Sequence, residues 1–290
     1  MHDMTRKNDR DILREERCRT KDGAEVVLLK YPLLEETGLV KHCFTTRYGG
    51  ASSGIFSTMN LSFTRGDDRE AVETNYRRVS EALDVPYGNF VFTDQTHTAN
   101  VRKVTADDCG KGLICERDYE EVDGLITDER GPVLSAFFAD CVPLFFVDPV
   151  HRAIGLSHSG WRGTVKRMGE VTAVAMHREY GTLPDDLICA IGPSICQDCY
   201  EVGEEVADEF RKAFKGWEDA ILRESALKDG EKKYRLDLWK ANEIVLLEAG
   251  VRREHLAVTN ICTCCNPDAL FSHRATGGKR GNMGAFLCLK

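Results

Sequence analysis

Two apolar runs, 142–147 and 153–157, are held apart by Asp148-Pro149-Val150-His151, and no other stretch restricts the fold as strongly. Short apolar runs bounded by turn residues read as buried strands. The tetrapeptide between them reads as a turn, with proline favoured early in it. The pair is therefore predicted to form a β-hairpin. With a four-residue loop over 148–151, Val147 faces Arg152 and Cys141 faces His158. The two side chains then share one side of the hairpin, with Cβ atoms ~4.5–5.5 Å apart. A thiol and an imidazole so placed suit two ligands of one metal ion, or a thiolate beside its base. A loop of odd length would break the match, because a one-residue slip turns a side chain to the other face. Pro143 fits only if it lies on an edge strand or at a strand start.

The residues around the hairpin add to this chemistry. His158-Ser159-Gly160-Trp161-Arg162-Gly163-Thr164 leads into a helical pattern. A Gly-rich turn entering a helix offers free N–H groups and the positive dipole end to an anion, and Arg162 adds charge. Gly155-Leu156-Ser157-His158-Ser159 comes close to an esterase G-x-S-x-G pattern but lacks the final glycine, so a serine hydrolase is disfavoured. A third ligand candidate is His97 in Asp94-Gln95-Thr96-His97, just after an apolar run. One cysteine and two histidines with an open position suit a catalytic zinc; spacing alone leaves open whether His97 reaches the hairpin. His2, His151, His177 and His255 read as surface or satisfied core residues. Asp140 points away from Cys141 on a regular strand, so it reads as a supporting group rather than the general base.

Helices are predicted over 68–84, capped by Asp67 or Asp68 and stopped by Pro86; over 164–180, with Thr164 at the start and Gly181 after; over 201–215, closed by Gly216; and over 237–249, capped by Asp237 and closed by Gly250. Strands are predicted at 24–30, 39–46, 89–93, 100–105, 123–127, 132–138, 142–147, 153–158, 187–191, 256–260 and 285–289. Many are apolar on both faces, which calls for sheets covered by helices. Strands and helices alternate unevenly, so the expected class is α+β: a single compact domain with mixed sheets flanked by helices. Residues 1–22 carry 13 charged side chains and read as a frayed arm or loosely attached helix. The expected division is a charged arm over 1–23 and one catalytic domain over 24–290.

Lys and Arg total 39 against 47 Asp and Glu, a net charge of −8. That is a poor balance for sequence-blind nucleic-acid binding, which needs a basic face, but it leaves room for a small anion held by local arginines. No stretch approaches the roughly 20 apolar residues of a membrane span, and no apolar h-region follows the start. A cytoplasmic setting is the expectation, in which the 12 cysteines stay reduced. Cys18, Cys43, Cys109, Cys115, Cys189 and Cys288 read as small buried hydrophobes. Cys196-Gln197-Asp198-Cys199 and Cys262-Thr263-Cys264-Cys265 are a weaker pointer to a second metal, because the intervening 62 residues exceed the spacing of a zinc ribbon.

Phe44-Thr45-Thr46-Arg47-Tyr48-Gly49-Gly50, Asn60-Leu61-Ser62, Gln95-Thr96-His97, Ala139-Asp140-Cys141-Val142-Pro143, His158-Ser159-Gly160-Trp161-Arg162-Gly163, Cys262-Thr263 and Phe271-Ser272-His273-Arg274 stand in this order. Over roughly residues 25–290 the chain thus resembles the YfiH, or laccase-domain, family, whose members are called polyphenol oxidase, peptidoglycan editing factor and purine nucleoside phosphorylase. The resemblance implies an α+β fold with one zinc per chain on His97, Cys141 and His158, which are also the implied catalytic residues. It implies phosphate-dependent cleavage of adenosine, inosine, guanosine and methylthioadenosine, and deamination of adenosine. The partners are then a small-molecule nucleoside and phosphate, with no nucleic acid or membrane, in a monomer or homodimer. Arg47, Arg162, Arg274 and Arg280 are candidates for the phosphate seat, since guanidinium binds phosphate oxygens in pairs, and Asn60 for a bond to ribose or base. His273 stands where relatives often have tyrosine, and 107–121 is longer than usual. A cysteine hydrolase or amidase editing peptidoglycan precursors is the main rival, because the Cys141–His158 pair resembles the thiol–imidazole pair of the deamidating cytotoxic necrotising factor domain. Copper-dependent polyphenol oxidation is less favoured: eight scattered histidines with no His-x-His pair are too few for several coppers.

Overall fold

The structure is a computed structural model that describes residues 4–225 and 230–290; His2 lies outside the described residues. Two six-stranded mixed sheets form its centre. The first runs Arg14–Arg19, Glu25–Lys30, Val40–Thr45, Met283–Leu289, Val133–Phe138, Phe90–Phe92, antiparallel except for the last pair. The second runs Leu256–Val258, Ile188–Ile191, Val142–Asp148, Ala153–Ser159, Gly124–Thr127, Val101–Lys103, parallel only at its two outer pairs. A small third sheet joins Glu201–Gly203, Lys233–Leu236 and Leu222–Glu224.

The period-two side-chain alternation of a strand explains the layering. In Val142–Asp148, Phe145 and Val147 point inward and pack with Phe44, Leu134, Ala136 and Leu287 of the first sheet. Val142, Leu144 and Phe146 point outward, under Ala173 and Met176 of helix Met168–Tyr180 and Ala241 and Ile244 of helix Leu238–Glu248. On the far side of the first sheet, Val72, Tyr76 and Val79 of helix Arg69–Leu83 cover Phe90, Phe92 and Phe286. The order is helix, sheet, sheet, helix, with three cores. Full burial of each large side chain contributes ~1.5–3 kcal/mol, so strands apolar on both faces are fixed from both sides. Asp68 caps its helix by accepting from Ala71 N at 3.1 Å, and Asp237 does so from Lys240 N at 2.9 Å.

Several expectations are corrected. The charged arm holds a strand: Arg14–Arg19 pairs with Glu25–Lys30, and Leu13 before it is fully buried. Its charges stay exposed or half-buried, and Arg14 pairs with Glu35 at 2.7 Å. The helix expected over 164–180 is broken. Trp161–Val165 ends at Lys166, and Arg167 adopts a left-handed backbone (φ 60°) that lets its guanidinium reach Glu248 at 2.9 Å. Glu201–Gly203 is a strand, and the helix after it is Glu204–Ala213. Among the cysteines expected to be buried, Cys115 is exposed and Cys18 and Cys109 are half-buried, whereas Cys43, Cys189 and Cys288 are buried. Cys115 sits on a loop that folds back on Gly110 by backbone hydrogen bonds rather than by apolar packing.

Candidate active site

The hairpin forms with its loop moved by one residue. Asp148 pairs with Ala153, so the loop is 149–152, and His158 faces Pro143 rather than Cys141. The cause is the Asp148 carboxylate, which is fully buried and accepts from Val150 N at 2.8 Å and His151 N at 3.0 Å. That turn closes only with Asp148 as the last strand residue. Cys141 therefore sits diagonal to His158, just before the strand, after a left-handed Asp140 (φ 92°). Parity is kept, so the thiol still turns to the inner side. Pro143 is accommodated near the start of a central strand because Gly192 leaves room for its ring; a Cβ there would lie 2.6 Å from Pro143 Cγ.

His158 continues the inward row of Ile154 and Leu156 at the end of the sandwich. His97 comes from the first sheet's side, on the loop after Phe90–Phe92, with a left-handed backbone (φ 64°). The Cys141 sulfur and one nitrogen from each imidazole all lie within 4.8 Å of one another. Cys141 Sγ is 4.0 Å from His97 Nε2, and the two imidazole rings stand 5.0 Å apart, nearly perpendicular.

The residue that organises this group is Asp123, which sequence reasoning missed. Its fully buried carboxylate is 2.7 Å from His158 Nδ1 and accepts from the N–H groups of Thr96, His97 and Thr98 at 3.2, 3.3 and 2.8 Å. One carboxylate thus sets the loop that carries His97 and turns His158 Nε2 toward the thiol. Burial pushes the Cys141 thiol up, but the charge and hydrogen bond of His158, then those of His97, bring it down to about 6. Burial pushes His158 down, and Cys141 and Asp123 together raise it to about 9. Each group thus favours the ionised form of the other.

The three side chains open into a cleft of about 1100 Å³, also lined by Arg65, Phe63, Gln95, Tyr119, Phe137 and Arg280. The long 107–121 segment supplies one wall, including Leu113, Ile114 and Tyr119. Arg280 is buried in it. Its Nη1 reaches Asn282 and Gly281 O, its Nη2 is 3.5 Å from His273 Nδ1, and its Nε has no partner. Burial, then the positive charge of Arg65, pushes Arg280 down to about 10. Arg65 is a second cation on this wall; among the described residues no carboxylate pairs with it.

The other expected anion binders do not line this cleft. Arg47 lies 4.5 Å over the Phe271 ring and ties the carbonyls of Ser57 and Pro267 at 2.7 and 2.6 Å. Asn60 is fully buried and holds Ser62, Asp67 and Asn282. Arg162 lies over Trp161, and Arg274 over Tyr200. Burial raises the Tyr200 phenol, with the charges of Cys141, Arg274, Asp140 and Arg162 acting on it. Asp140 spends both oxygens on structure, accepting from Thr263 Oγ1 at 2.6 Å and Arg274 N at 2.7 Å.

A family model described as multi-copper polyphenol oxidoreductase laccase matches residues 41–290. The purine nucleoside phosphorylase YlmD of Geobacillus stearothermophilus is 40% identical over 248 residues, 84% of this chain and 88% of the relative. Adenosine deaminase RL5, of an unknown prokaryotic organism, is 35% identical over 240 residues, 82% of this chain and 89% of the relative. The crystal structure of YlmD from Geobacillus stearothermophilus superposes with a TM-score of 0.85 at 35% identity, covering 97% of this chain and all of that one. With the fold, most of the sequence and the His97, Cys141 and His158 cluster in place, the chain belongs to this laccase-domain family.

Proposed function

We propose that the chain is a zinc-dependent purine nucleoside enzyme that phosphorolyses adenosine, inosine, guanosine and methylthioadenosine and deaminates adenosine. The observation that carries this reading is one thiol and two imidazoles converging beside a buried, partly unpartnered guanidinium in a single cleft. The purine phosphorylase and adenosine deaminase names of the relatives point the same way.

The residues fit a zinc ion. Their donor set is one thiolate and two imidazoles, a carboxylate fixes one imidazole from behind, and zinc bonds of ~2.0–2.3 Å match a cluster this tight. His97, Cys141 and His158 would hold it, and with a fourth position open it would supply Lewis acidity to the cleft. The chain's own residues do the rest. Asp123 keeps the Nδ1 proton on His158. Arg280 and Arg65 place phosphate oxygens, Arg280 through an N–H already stripped of water. Phe63, Tyr119 and Phe137 offer flat apolar faces for a purine. In phosphorolysis the bond from C1′ to the purine nitrogen breaks, a phosphate oxygen bonds C1′, and the purine takes a proton; in deamination water replaces the C6 amine, which leaves as ammonia. Positioning and charge dominate the first reaction.

The test is incubation of purified protein with adenosine, with and without phosphate. Adenine and ribose 1-phosphate should form only with phosphate, and inosine in both cases. Neither product from zinc-loaded protein would overturn the reading.

A second reading has its own observation. Cys141, His158 and Asp123 line up as thiolate, imidazole and orienting carboxylate, the logic of a cysteine hydrolase. Activity on an amide substrate that survives a chelator and dies with a thiol alkylator would favour it.

A further inference from the structure

Two Cys-x-x-Cys pairs, 62 residues apart in sequence, meet in space on the outer side of the second sheet. The four sulfurs of Cys196, Cys199, Cys262 and Cys265 lie within 4.8 Å of one another, and Cys199 Sγ is 3.5 Å from Cys265 Sγ. A tetrahedral zinc with bonds of ~2.3 Å sets sulfurs ~3.8 Å apart, so the cluster already has the required size. The mean position of each knuckle is fixed by backbone. Cys262 bridges to Ser194 in parallel pairing, and Thr263 N donates to Ser194 O at 3.1 Å.

Two further contacts favour ionised sulfur here. Cys196 N donates to Cys262 Sγ at 3.2 Å. Lys7 brings an ammonium against Cys196 while its Nζ pairs with Asp198 at 3.2 Å. Donors and a cation aimed at sulfur favour its ionised form, and a metal ion among the four sulfurs would hold all of them as thiolates.

We propose that Cys196, Cys199, Cys262 and Cys265 form a closed, structural tetrathiolate zinc site, separate from the cleft. It acts as a clasp behind the active site. Ile195 N donates to Asp140 O at 3.0 Å, and Thr263 Oγ1 holds the Asp140 side chain at 2.6 Å. Each knuckle thus grips the left-handed residue that precedes Cys141. The site does not depend on the nucleoside reading, since its ligands touch no cleft residue that the reaction uses.

The test is a Co²⁺ titration of reduced, metal-stripped full-length protein, alongside zinc analysis of protein prepared under reducing conditions. About two equivalents of either metal per chain are expected. One should show the intense d–d and sulfur-to-cobalt charge-transfer absorption of a tetrathiolate site. That spectrum and about one zinc should persist in Cys141→Ala and vanish in Cys199→Ser/Cys265→Ser. If the double variant does not fold, Cys141→Ala alone decides. A Cys141→Ala protein with no bound zinc and no tetrathiolate spectrum overturns the proposal. So does a folded double variant with unchanged zinc, or a cluster that stays as two disulfides in reducing buffer.

Discussion

Asp123 and His158 are joined twice: His158 N donates to the Asp123 carbonyl, and its Nδ1 lies 2.7 Å from the Asp123 carboxylate, both at 2.7 Å. The backbone bond fixes the strand register at this point, and the side-chain bond fixes the ring. A histidine with one nitrogen held in this way presents the other in a single tautomer, which raises its basicity toward a metal.

Asp123→Asn keeps the shape but removes the charge. We expect zinc affinity at the cleft to fall ~10–100-fold, with turnover falling in step, measured by competition with a chromophoric chelator. An affinity within twofold of wild type would show that Asp123 serves only the 96–98 loop.

Gly160→Ala tests how closely the site is packed. A Cβ at this position would lie 2.9 Å from His97 Cδ2 and 3.1 Å from Cys141 Sγ. The backbone is ordinary (φ −71°), so an alanine costs little in conformation, and the clash falls on two of the proposed zinc ligands. Bound zinc at the cleft and kcat/KM should both drop at least about tenfold, a ~1.4 kcal/mol effect, while the thermal midpoint changes little. Normal metal content would disprove the packing argument.

Arg280→Gln separates the two reactions. Loss of a charged hydrogen bond costs ~1.5–3 kcal/mol, so the phosphate KM should rise by about tenfold or more. Phosphate-independent inosine formation should stay within a few-fold. Equal losses in both reactions would place Arg280 in the scaffold.

His42 sets an acid limit on stability. It is buried, accepts from Tyr31 N at 2.8 Å, and burial pushes it down to about 3. The unfolded chain takes up that proton near 6.5, whereas the folded chain does not. Stability is unaffected above pH 6.5 and declines as pH falls from 6.5 toward 3, with a slope of up to ~1.4 kcal/mol per pH unit. In denaturant melts, His42→Gln should lose less stability than wild type between pH 6.5 and 4.5. Parallel pH profiles would contradict this.

Much of the fold could be read from the chain because its strands are apolar on both faces and its helices carry caps. Asp68 and Asp237 cap as their positions require. What could not be read depended on contacts distant in sequence. Arg14–Arg19 is a strand only because Glu25–Lys30 offers an edge to it. The hairpin register follows from a buried aspartate folding its own turn, which alternation cannot reveal. In the site, the thiol and imidazole were legible from side-chain parity along the two strands, although the turn expected between them was one residue off. Asp123 was not, because one acidic residue at the start of an expected strand looks like any exposed strand end until its carboxylate is seen to gather residues 96–98. The arginines divide for the same reason: Arg47 lies in a Gly-rich motif but holds carbonyls, while Arg65 has no motif and faces the cleft.

The proposed nucleoside chemistry requires that an ion on His97, Cys141 and His158 be needed for turnover. Zinc can be withdrawn stepwise with a chelator and then restored, while adenosine conversion in phosphate is followed by chromatography. We expect activity to fall with the cleft zinc, to return with it, and to be absent from Cys141→Ala at every zinc level. Full activity in metal-stripped protein, abolished instead by alkylating Cys141, would contradict the account and leave the cysteine hydrolase in its place.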